Sequence, residues 1–180
     1  EPKYIVAAGI MNDTIKQFDQ LIESYANSIL PKQGIKLLFL GDGEHKNKLQ
    51  TLAEQLGLSA LIEFKGFVEN PFPYYKKALF TVLSSKNDGF PNVLIETLAT
   101  QTPVIAFDCF SGPNEIIEHE INGLLVDNQN FQALTEAMNA MIENVDLYQN
   151  CKQNAKESVR KFDVEIIGQQ WQNLFKNVVS

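Results

Sequence analysis

The sequence predicts an α/β domain of three layers, in which helices cover both faces of a parallel sheet of about six strands, followed by a helical C-terminal segment. Three observations predict this class. Short apolar runs alternate with segments whose apolar residues recur at helical spacing. The connections between them are short, as they are in βαβ units. Beyond residue 126 the pattern is helical to the end of the chain.

The first half of the chain is predicted to contain three strands and three helices. The strands are short, mostly apolar runs that stop at or next to a glycine, at Tyr4–Ala8, Lys36–Leu40 and 61–64. The first helix places Phe18, Leu21, Ile22 and Tyr25 on one face. The helices are expected at 15–29, at 46–56 and after the proline-containing segment that begins at residue 70.

The second half is predicted to add three strands and then mostly helix. The strands are expected at 80–83, 103–107 and 123–126. A helix entered through Gly89 and Pro91 follows the fourth strand, and another begins near Asn114. The remaining helices are expected at 131–142, 147–159 and Val164–Val179.

Small and polar residues follow most of the predicted strands. They are Gly9, Gly41, Gly66, Ser84 and Asp108. In a parallel sheet the carboxyl ends of the strands share one edge, and ligands bind in the crevice outside that edge. The sequence therefore predicts one binding site to which all of these loops contribute.

The most informative stretch is S-S-K-N-D-G-F-P-N-V-L-I-E-T-L-A, residues 84–99. A helix that begins near Pro91 would expose the N–H groups of about Asn92 to Leu94, which attract a phosphate or a sugar hydroxyl. Asp88 and Glu96 bracket this helix start with seven residues between them, and carboxylates accept hydrogen bonds from ribose or hexose. The alternative is that Asp88 only caps the helix and Glu96 lies on a solvated face.

This stretch resembles the acidic-x7-acidic signature of the retaining glycosyltransferases of family 4. In that family the nucleotide-sugar-binding domain is the Rossmann-like C-terminal half of the two-domain GT-B fold. The resemblance extends over nearly the whole chain, because five further motifs occur in the family's order. They are G-D-G-E at 41–44, G-F-V at 66–68, T-P-V-I-A at 102–106, S-G-P-N-E-I-I at 111–117 and N-G-L-L-V at 122–126.

The resemblance implies a role for each matching residue. Asp88 is the implied catalytic residue, near the reacting carbon of the donor sugar, and Glu96 would bind the ribose hydroxyls. The diphosphate, sugar and nucleoside contacts carried over are Gly9, Lys16, Gly41, Phe67, Val68, Gly89, Phe90, Pro91, Asn92, Val93, Leu94 and Glu96. An alternative for the side chains of Phe67 and Val68 is burial in the core. The segment S-G-P before residue 114 is a second candidate anion site.

Two positions depart from the family's pattern. Ile10 stands where the family has an arginine that binds the diphosphate, and isoleucine cannot form bidentate, charge-assisted bonds. Asp88 stands where the family usually has a glutamate, which is one methylene longer.

The resemblance also implies the reaction and the partners. It implies transfer with retention of configuration and without a metal or other cofactor, and the sequence has no Asp-x-Asp metal motif. We expect a UDP-sugar as donor rather than a GDP-sugar. Residues 1–180 would form one donor-binding domain, the second half of a longer enzyme, with 164–180 contacting an N-terminal acceptor domain. A glycan or glycolipid acceptor in bacterial polysaccharide, lipopolysaccharide or capsule synthesis is expected.

Composition excludes some function classes. The net charge of −7 and pI near 4.8 exclude a nucleic-acid backbone as partner. The sequence has neither an apolar run of membrane-spanning length nor a signal-peptide pattern. We therefore expect a cytoplasmic location, including peripheral association with the inner face of the cytoplasmic membrane. Two other functions stay open, a nucleotide-sugar epimerase on the same scaffold and a degenerate binding module, the latter because of Ile10.

Overall fold

The computed structural model describes residues 3–12 and 14–179, and side chains as far as Lys176. Residues 1, 2 and 180 of the predicted 1–180 domain, including the last residue of the predicted segment 164–180, lie outside the described residues. The strands are β1 (Tyr4–Ala8), β2 (Lys36–Leu40), β3 (Ile62–Phe64), β4 (Thr81–Leu83), β5 (Val104–Asp108) and β6 (Gly123–Asp127).

Eight helices connect and follow these strands in the part of the chain that is described. They are α1 (Phe18–Asn27), α2 (Lys46–Gln55), α3 (Phe72–Lys77), α4 (Asn92–Ala99), α5 (Pro113–Ile116), α6 (Phe131–Glu143), α7 (Val145–Ser158) and α8 (Val164–Val179), with 3-10 turns at Pro31–Gln33 and Arg160–Phe162. Helix α1 begins three residues later than predicted because Gln17 has a left-handed φ of 50°. Helix α5 is a single turn because Ile117 is already extended.

All strand pairs are parallel, and the sheet order is β3-β2-β1-β4-β5-β6. The chain therefore builds outward from β1 to β3, returns to the other side of β1, and continues outward from β4 to β6. This reversal lies between β1 and β4, where a crevice forms at the carboxyl edge. Strands β1 and β4 share one register pair, Val6 opposite Thr81, against five pairs between β1 and β2.

Helices pack on both faces of the sheet, which confirms the three-layer prediction. On one face α1, α2 and α6 bury residues such as Leu21, Leu49 and Met138 against Phe39 and Phe107 of the strands. The other face is covered by α3 over β1 and β2, and by α4, α5 and α7 over β4 and β5. Because both faces are covered, the strands appear in the sequence as nearly continuous apolar runs.

Helix α8 extends from the turn Arg160–Phe162 and keeps an apolar stripe in contact with solvent. Its exposed large apolar side chains are Val164, Ile166, Trp171, Leu174 and Phe175. The rings of Trp171 and Phe175 stack on each other with centroids 5.7 Å apart. No helix in the described ranges 3–12 and 14–179 combines the length and apolar character needed to cross a membrane.

Candidate functional site

The centre of the carboxyl edge is an ion pair that crosses the reversal point of the sheet. Lys16, in the loop after β1, donates from Nζ to Oδ2 of Asp88, in the loop after β4, at 2.7 Å. The side chains are 24% and 17% exposed, so both charges can still reach a ligand in the crevice. The fold therefore brings together two predicted site residues that are 72 positions apart.

Two serines that directly follow β4 contact the two residues of this ion pair, one at its main chain and one at its side chain. The hydroxyl of Ser84 donates to the main-chain carbonyl of Lys16 at 2.6 Å. The hydroxyl of Ser85 lies 3.4 Å from Oδ2 of Asp88. The sequence placed Ser84 at this edge of the sheet without a role, and it did not single out Ser85. The available signal was two adjacent hydroxyls at the end of a buried strand, since buried hydroxyls need hydrogen-bond partners.

The bonds of Asp88 show that it does not cap helix α4. Its carboxylate is hydrogen-bonded to Lys16 and Ser85, and the residue that precedes α4 is Pro91, which offers no side-chain cap. The capping alternative for Asp88 is therefore wrong. Its charge lies between the loops after β1 and β4, where a ligand in the crevice would meet it.

The start of α4 differs in two details from the prediction. Helix α4 begins at Asn92, one residue after the buried Pro91. The N–H of Leu94 already donates to the carbonyl of Pro91 at 3.0 Å, and the Leu94 side chain is fully buried. The predicted N–H donors are therefore reduced to those of Asn92 and Val93.

Gly89 does not have the conformation expected of it. Its φ is not positive, and a Cβ built there would meet no atom within 4 Å. The close contact occurs instead at Gly112, in the S-G-P loop, whose φ is +92° and whose added Cβ would lie 2.8 Å from Cδ of Pro91 and 2.9 Å from the carbonyl of Gly89. The turn at Gly89 therefore tolerates a side chain sterically, and Gly112 holds the two loops together. Because α5 is a single turn of four residues that begins with Pro113, its start is a weaker candidate for an anion site than the start of α4.

Phe90 packs on a residue far along the chain. Its ring, which is partly exposed, meets the ring of Phe162 edge-on with centroids 5.6 Å apart. Phe162 belongs to the turn that leads into α8. The amine of the neighbouring Lys161 donates to the carbonyl of Glu115 at 2.9 Å. The loop after β4 is therefore braced by the connection to the terminal helix.

Glu96 lies on α4 and is half-buried. Burial raises the pKa of Tyr75, and the charge of Glu96 and a hydrogen bond to it raise that pKa further. Glu96 is thus held against the buried tyrosine of α3 rather than extended on a fully solvated face. One of its oxygens is restrained by the protein, which would orient the carboxylate toward a ligand.

The loops after β1 and β2 approach each other closely. The N–H of Gly9 donates to the carbonyl of Leu40 at 2.9 Å, and the N–H of Gly41 donates to that of Gly66 at 2.8 Å. A Cβ on Gly41, where φ is +138°, would lie 2.0 Å from the carbonyl oxygen of Gly9. A glycine at position 41 is therefore required by backbone packing.

Apolar side chains surround this polar centre. Phe67 is 83% exposed, so the prediction that it could belong to the core is wrong, whereas Val68 is half-buried and packs on the cluster under α3. Ile10 is 64% exposed, at the position where the family has an arginine. Among the described residues, no group of three or more His, Cys, Asp or Glu is arranged to hold a metal ion.

The site is open rather than enclosed. A groove of about 510 Å³ lies elsewhere, lined by Tyr4, Lys36, Pro73 and their neighbours near the amino ends of the strands. We assign the candidate functional site to the carboxyl edge rather than to this groove, because Lys16, Asp88 and the start of α4 meet at that edge.

Comparisons with known proteins identify the family of the chain. A family model described as glycosyl transferases group 1 matches residues 1–158. An exopolysaccharide phosphotransferase of Streptomyces coelicolor is 32% identical over 166 residues, which are 92% of this chain and 18% of that protein. The N-acetylgalactosamine-N,N'-diacetylbacillosaminyl-diphospho-undecaprenol 4-alpha-N-acetylgalactosaminyltransferase of Campylobacter jejuni is 34% identical over 161 residues, 89% of this chain and 43% of that protein.

A solved structure is also similar over nearly the whole chain. It is the crystal structure of an S. aureus TarM mutant in complex with Fondaparinux, alpha-GlcNAc-glycerol and UDP, with a TM-score of 0.88 and 27% identity. The match covers 97% of this chain and 35% of that one. The chain thus spans less than half the length of each of these three proteins.

Proposed function

We propose, on the premise that the chain belongs to the glycosyl transferases group 1 family, that it is the domain of a glycosyltransferase that binds the nucleotide-diphosphate-sugar donor. The observation that carries this proposal is the pair formed by Lys16 and Asp88 across the reversal point of the sheet, 2.7 Å apart. One cation suits a diphosphate and one carboxylate suits sugar hydroxyls. Both lie at the edge where α/β sheets bind nucleotides.

In this proposal the diphosphate lies between Lys16 and the start of α4. The N–H groups of Asn92 and Val93 add the positive end of the helix dipole to the charge of Lys16. Asp88 accepts hydrogen bonds from the donor sugar, and Glu96 accepts them from the ribose. Phe67, Val68 and Gly41 would lie on the nucleoside side, where the loops after β2 and β3 meet.

We further propose that the transfer retains the anomeric configuration and needs no metal, as in the retaining enzymes of family 4. The bond between the anomeric carbon and the diphosphate oxygen breaks, and the acceptor oxygen bonds to that carbon on the same face. The acceptor proton passes to the departing phosphate oxygen. Lys16 and the α4 amides offset the negative charge that develops on the diphosphate.

The donor is proposed to be a UDP-sugar, and the acceptor a glycan or glycolipid. UDP is bound in the similar S. aureus structure, and the names of the similar proteins refer to an exopolysaccharide and to a diphospho-undecaprenol glycan. A lipid-linked acceptor would bring the enzyme to the cytoplasmic membrane surface. These names support a role in bacterial polysaccharide or glycolipid synthesis.

The acceptor is proposed to bind to a second domain of the same polypeptide. The chain matches only 18% to 43% of the length of the two similar proteins compared above. The exposed stripe of α8, with Trp171 and Phe175 at its centre, is an apolar surface of the kind that packs on a partner. We propose that this stripe covers part of that second domain.

Calorimetric titration with UDP and GDP, with and without Mg²⁺, tests the donor site. We expect UDP to bind equally well without Mg²⁺, and Lys16→Ala to weaken it about 10- to 100-fold through loss of charge-assisted bonds. Lys36→Ala is the matched control, since Lys36 is similarly exposed and is paired with Glu63 at 2.6 Å, but lies at the amino end of β2. Absence of nucleotide binding, or an equal loss in both variants, would contradict the proposal.

The variant Ile10→Arg tests whether the lack of the family's arginine at position 10 limits the affinity for UDP. If the missing cation limits affinity, this variant should bind UDP about tenfold or more tightly than the natural chain.

In the full-length enzyme, Asp88→Asn and Glu96→Gln should each abolish most transfer, and unchanged turnover in both would remove the site assignment.

A further inference from the structure

We propose that Ser84 is a positioning residue, which fixes the segment that carries Lys16 so that its ammonium group reaches the diphosphate. This inference rests on the proposed function, because it assumes that Lys16 binds the donor. Ser84 itself contacts no ligand in this proposal. It acts through the main chain of Lys16.

The hydrogen bond of Ser84 has the geometry and the burial that such a role needs. Its side chain is 0% exposed, and its hydroxyl donates at 2.6 Å to the carbonyl oxygen of Lys16. The donor is fully buried and cannot turn to water instead, while Lys16 is half-buried, so the bond restrains its acceptor. Ser84 directly follows β4, so the restraint originates in the sheet.

The segment around Lys16 has little regular structure to hold it. Its described residues, 9–12 and 14–17, belong to no helix or strand between the end of β1 at Ala8 and the start of α1 at Phe18. Gln17, the next residue, adopts a left-handed φ of 50°. The contacts of Lys16 with the loop after β4 therefore decide where its side chain begins.

Three further contacts hold the same segment. The N–H of Lys86 donates to the carbonyl of Ile15 at 3.0 Å, and its amine lies 3.4 Å from the hydroxyl of Thr14. The side-chain amides of Gln17 and Gln129 bond to each other at 2.7 and 2.9 Å. The side-chain contacts of Thr14 and Gln17 are exposed, whereas that of Ser84 is partly buried and acts on Lys16 itself.

This restraint matters for ligand binding because Lys16 also has a competing partner. In the structure its ammonium is bonded to Asp88, and a diphosphate must recruit it from there. If the main chain of Lys16 stays fixed, the side chain can turn from the carboxylate to a phosphate without reordering the loop. Charge-assisted bonds weaken steeply when their geometry is lost.

The test compares UDP affinity in two serine variants. Ser84→Ala removes the restraint, and we expect the Kd for UDP to rise about tenfold. Ser28→Ala is the matched control, because Ser28 is 1% exposed and donates to the carbonyl of Tyr25 at 2.7 Å, at the end of α1. It should change the Kd less than twofold, although it costs a comparable buried hydrogen bond. Thermal unfolding checks that both variants are folded.

A double-mutant cycle separates positioning from a general structural effect. In a Lys16→Ala background, Ser84→Ala should have no further effect on the Kd, because the group that it positions is gone. An equal tenfold loss in that background would overturn the inference. If Ser84→Ala does not fold, Ser84→Cys replaces it, since cysteine is close in volume but a weak donor.

The remaining outcomes distinguish this inference from the proposed function. If the natural chain binds UDP and Ser84→Ala binds it equally well, the inference is wrong and the donor site stands. If the natural chain binds neither UDP nor GDP, the donor site is wrong and the inference falls with it.

Discussion

The ammonium of Lys16 and the carboxylate of Asp88 neutralise each other across the crevice, 2.7 Å apart. The cation proposed for the diphosphate is therefore held by the carboxylate proposed for the sugar. A donor has to replace this contact by one with its phosphate, and Asp88 then becomes available to the sugar. Pairing of the two opposite charges offsets part of the cost of keeping each of them partly buried.

This pairing predicts that Asp88→Asn strengthens the binding of UDP, which has no sugar. The substitution frees Lys16 and removes a negative charge from the vicinity of the diphosphate. For charges that are partly exposed to water this is on the order of 1 kcal/mol, or about fivefold in Kd by calorimetry. Glu63→Gln, which removes the carboxylate paired with Lys36, should leave the Kd unchanged. Weaker binding of UDP by Asp88→Asn would contradict this account of the ion pair.

Gly89 and Gly112 should respond in opposite ways to alanine. Gly89→Ala should change the unfolding temperature by less than about 2 °C, since φ is not positive and a Cβ meets no atom within 4 Å. It should weaken binding of a UDP-sugar, because the methyl group would occupy space proposed for the ligand. Gly112→Ala should destabilise the fold by about 1–3 kcal/mol, because φ is +92° and Pro91 is 2.8 Å away. Equal unfolding temperatures for the two variants would show that this comparison is wrong.

Glu63 should contribute to stability in a pH-dependent way. Hydrogen bonds from Lys36 and Lys65 hold the pKa of Glu63 below its ordinary value of 4.5. A lowered pKa in the folded state stabilises the fold above pH 4.5, and this contribution is lost as the pH falls through the folded-state pKa. Because the group is about one-third exposed, Glu63→Gln should cost less than about 1 kcal/mol at pH 7.

Urea unfolding at pH 7 and near pH 3 measures this contribution. The difference between the natural chain and Glu63→Gln should shrink toward zero at the lower pH, and also in high salt, where exposed ion pairs are screened. A difference that is equal at both pH values would point to packing instead of charge.

The two cysteines should be unreactive in the folded protein. Burial raises the pKa of Cys151 to about 11, with a smaller contribution from the charge of Glu120, and burial also raises the pKa of Cys109. At pH 8 the reactive thiolate of Cys151 is then about a thousandfold less populated than the thiol. A thiol-reactive chromophore should label both cysteines only after unfolding. Rapid labelling of one thiol in native buffer would show that its surroundings open readily.

The strands were predictable from the sequence, and the physical reason is their burial. Strands β1 and β2 have the predicted bounds, β3, β4 and β6 differ by one residue at one end, and β5 is displaced by one residue at both ends. A strand that is covered on both faces must be apolar at nearly every position, so its run is continuous and its ends are marked by the first small or polar residue. Spacing and resemblance also placed Lys16 and Asp88 in one site, although nothing in their positions gives the distance between them.

The details that could not be predicted depend on contacts between distant segments. Gly89 and Gly112 look alike in sequence, and only the packing of their loops shows which of them needs a positive φ. The bond from Ser84 to Lys16 spans 68 positions, so no local pattern contains it. The exposed position of Phe67 likewise follows from where the loop after β3 lies on the edge, since a phenylalanine between a glycine and a valine normally suggests burial.

The junction between β1 and β4, the seam of the sheet, is less extensively paired than the others. The half containing β1 to β3 and the half containing β4 to β6 each have several register pairs within them, but β1 and β4 share one, Val6 opposite Thr81, beside main-chain bonds from Val6 to Phe80 and from Leu79 to Tyr4. Subglobal opening is therefore expected to separate these halves before either one unfolds, and their amides should exchange with solvent as two groups. A molecule that bridges Lys16 and Asp88 would fasten the halves together, so its binding should slow exchange on both sides of the seam.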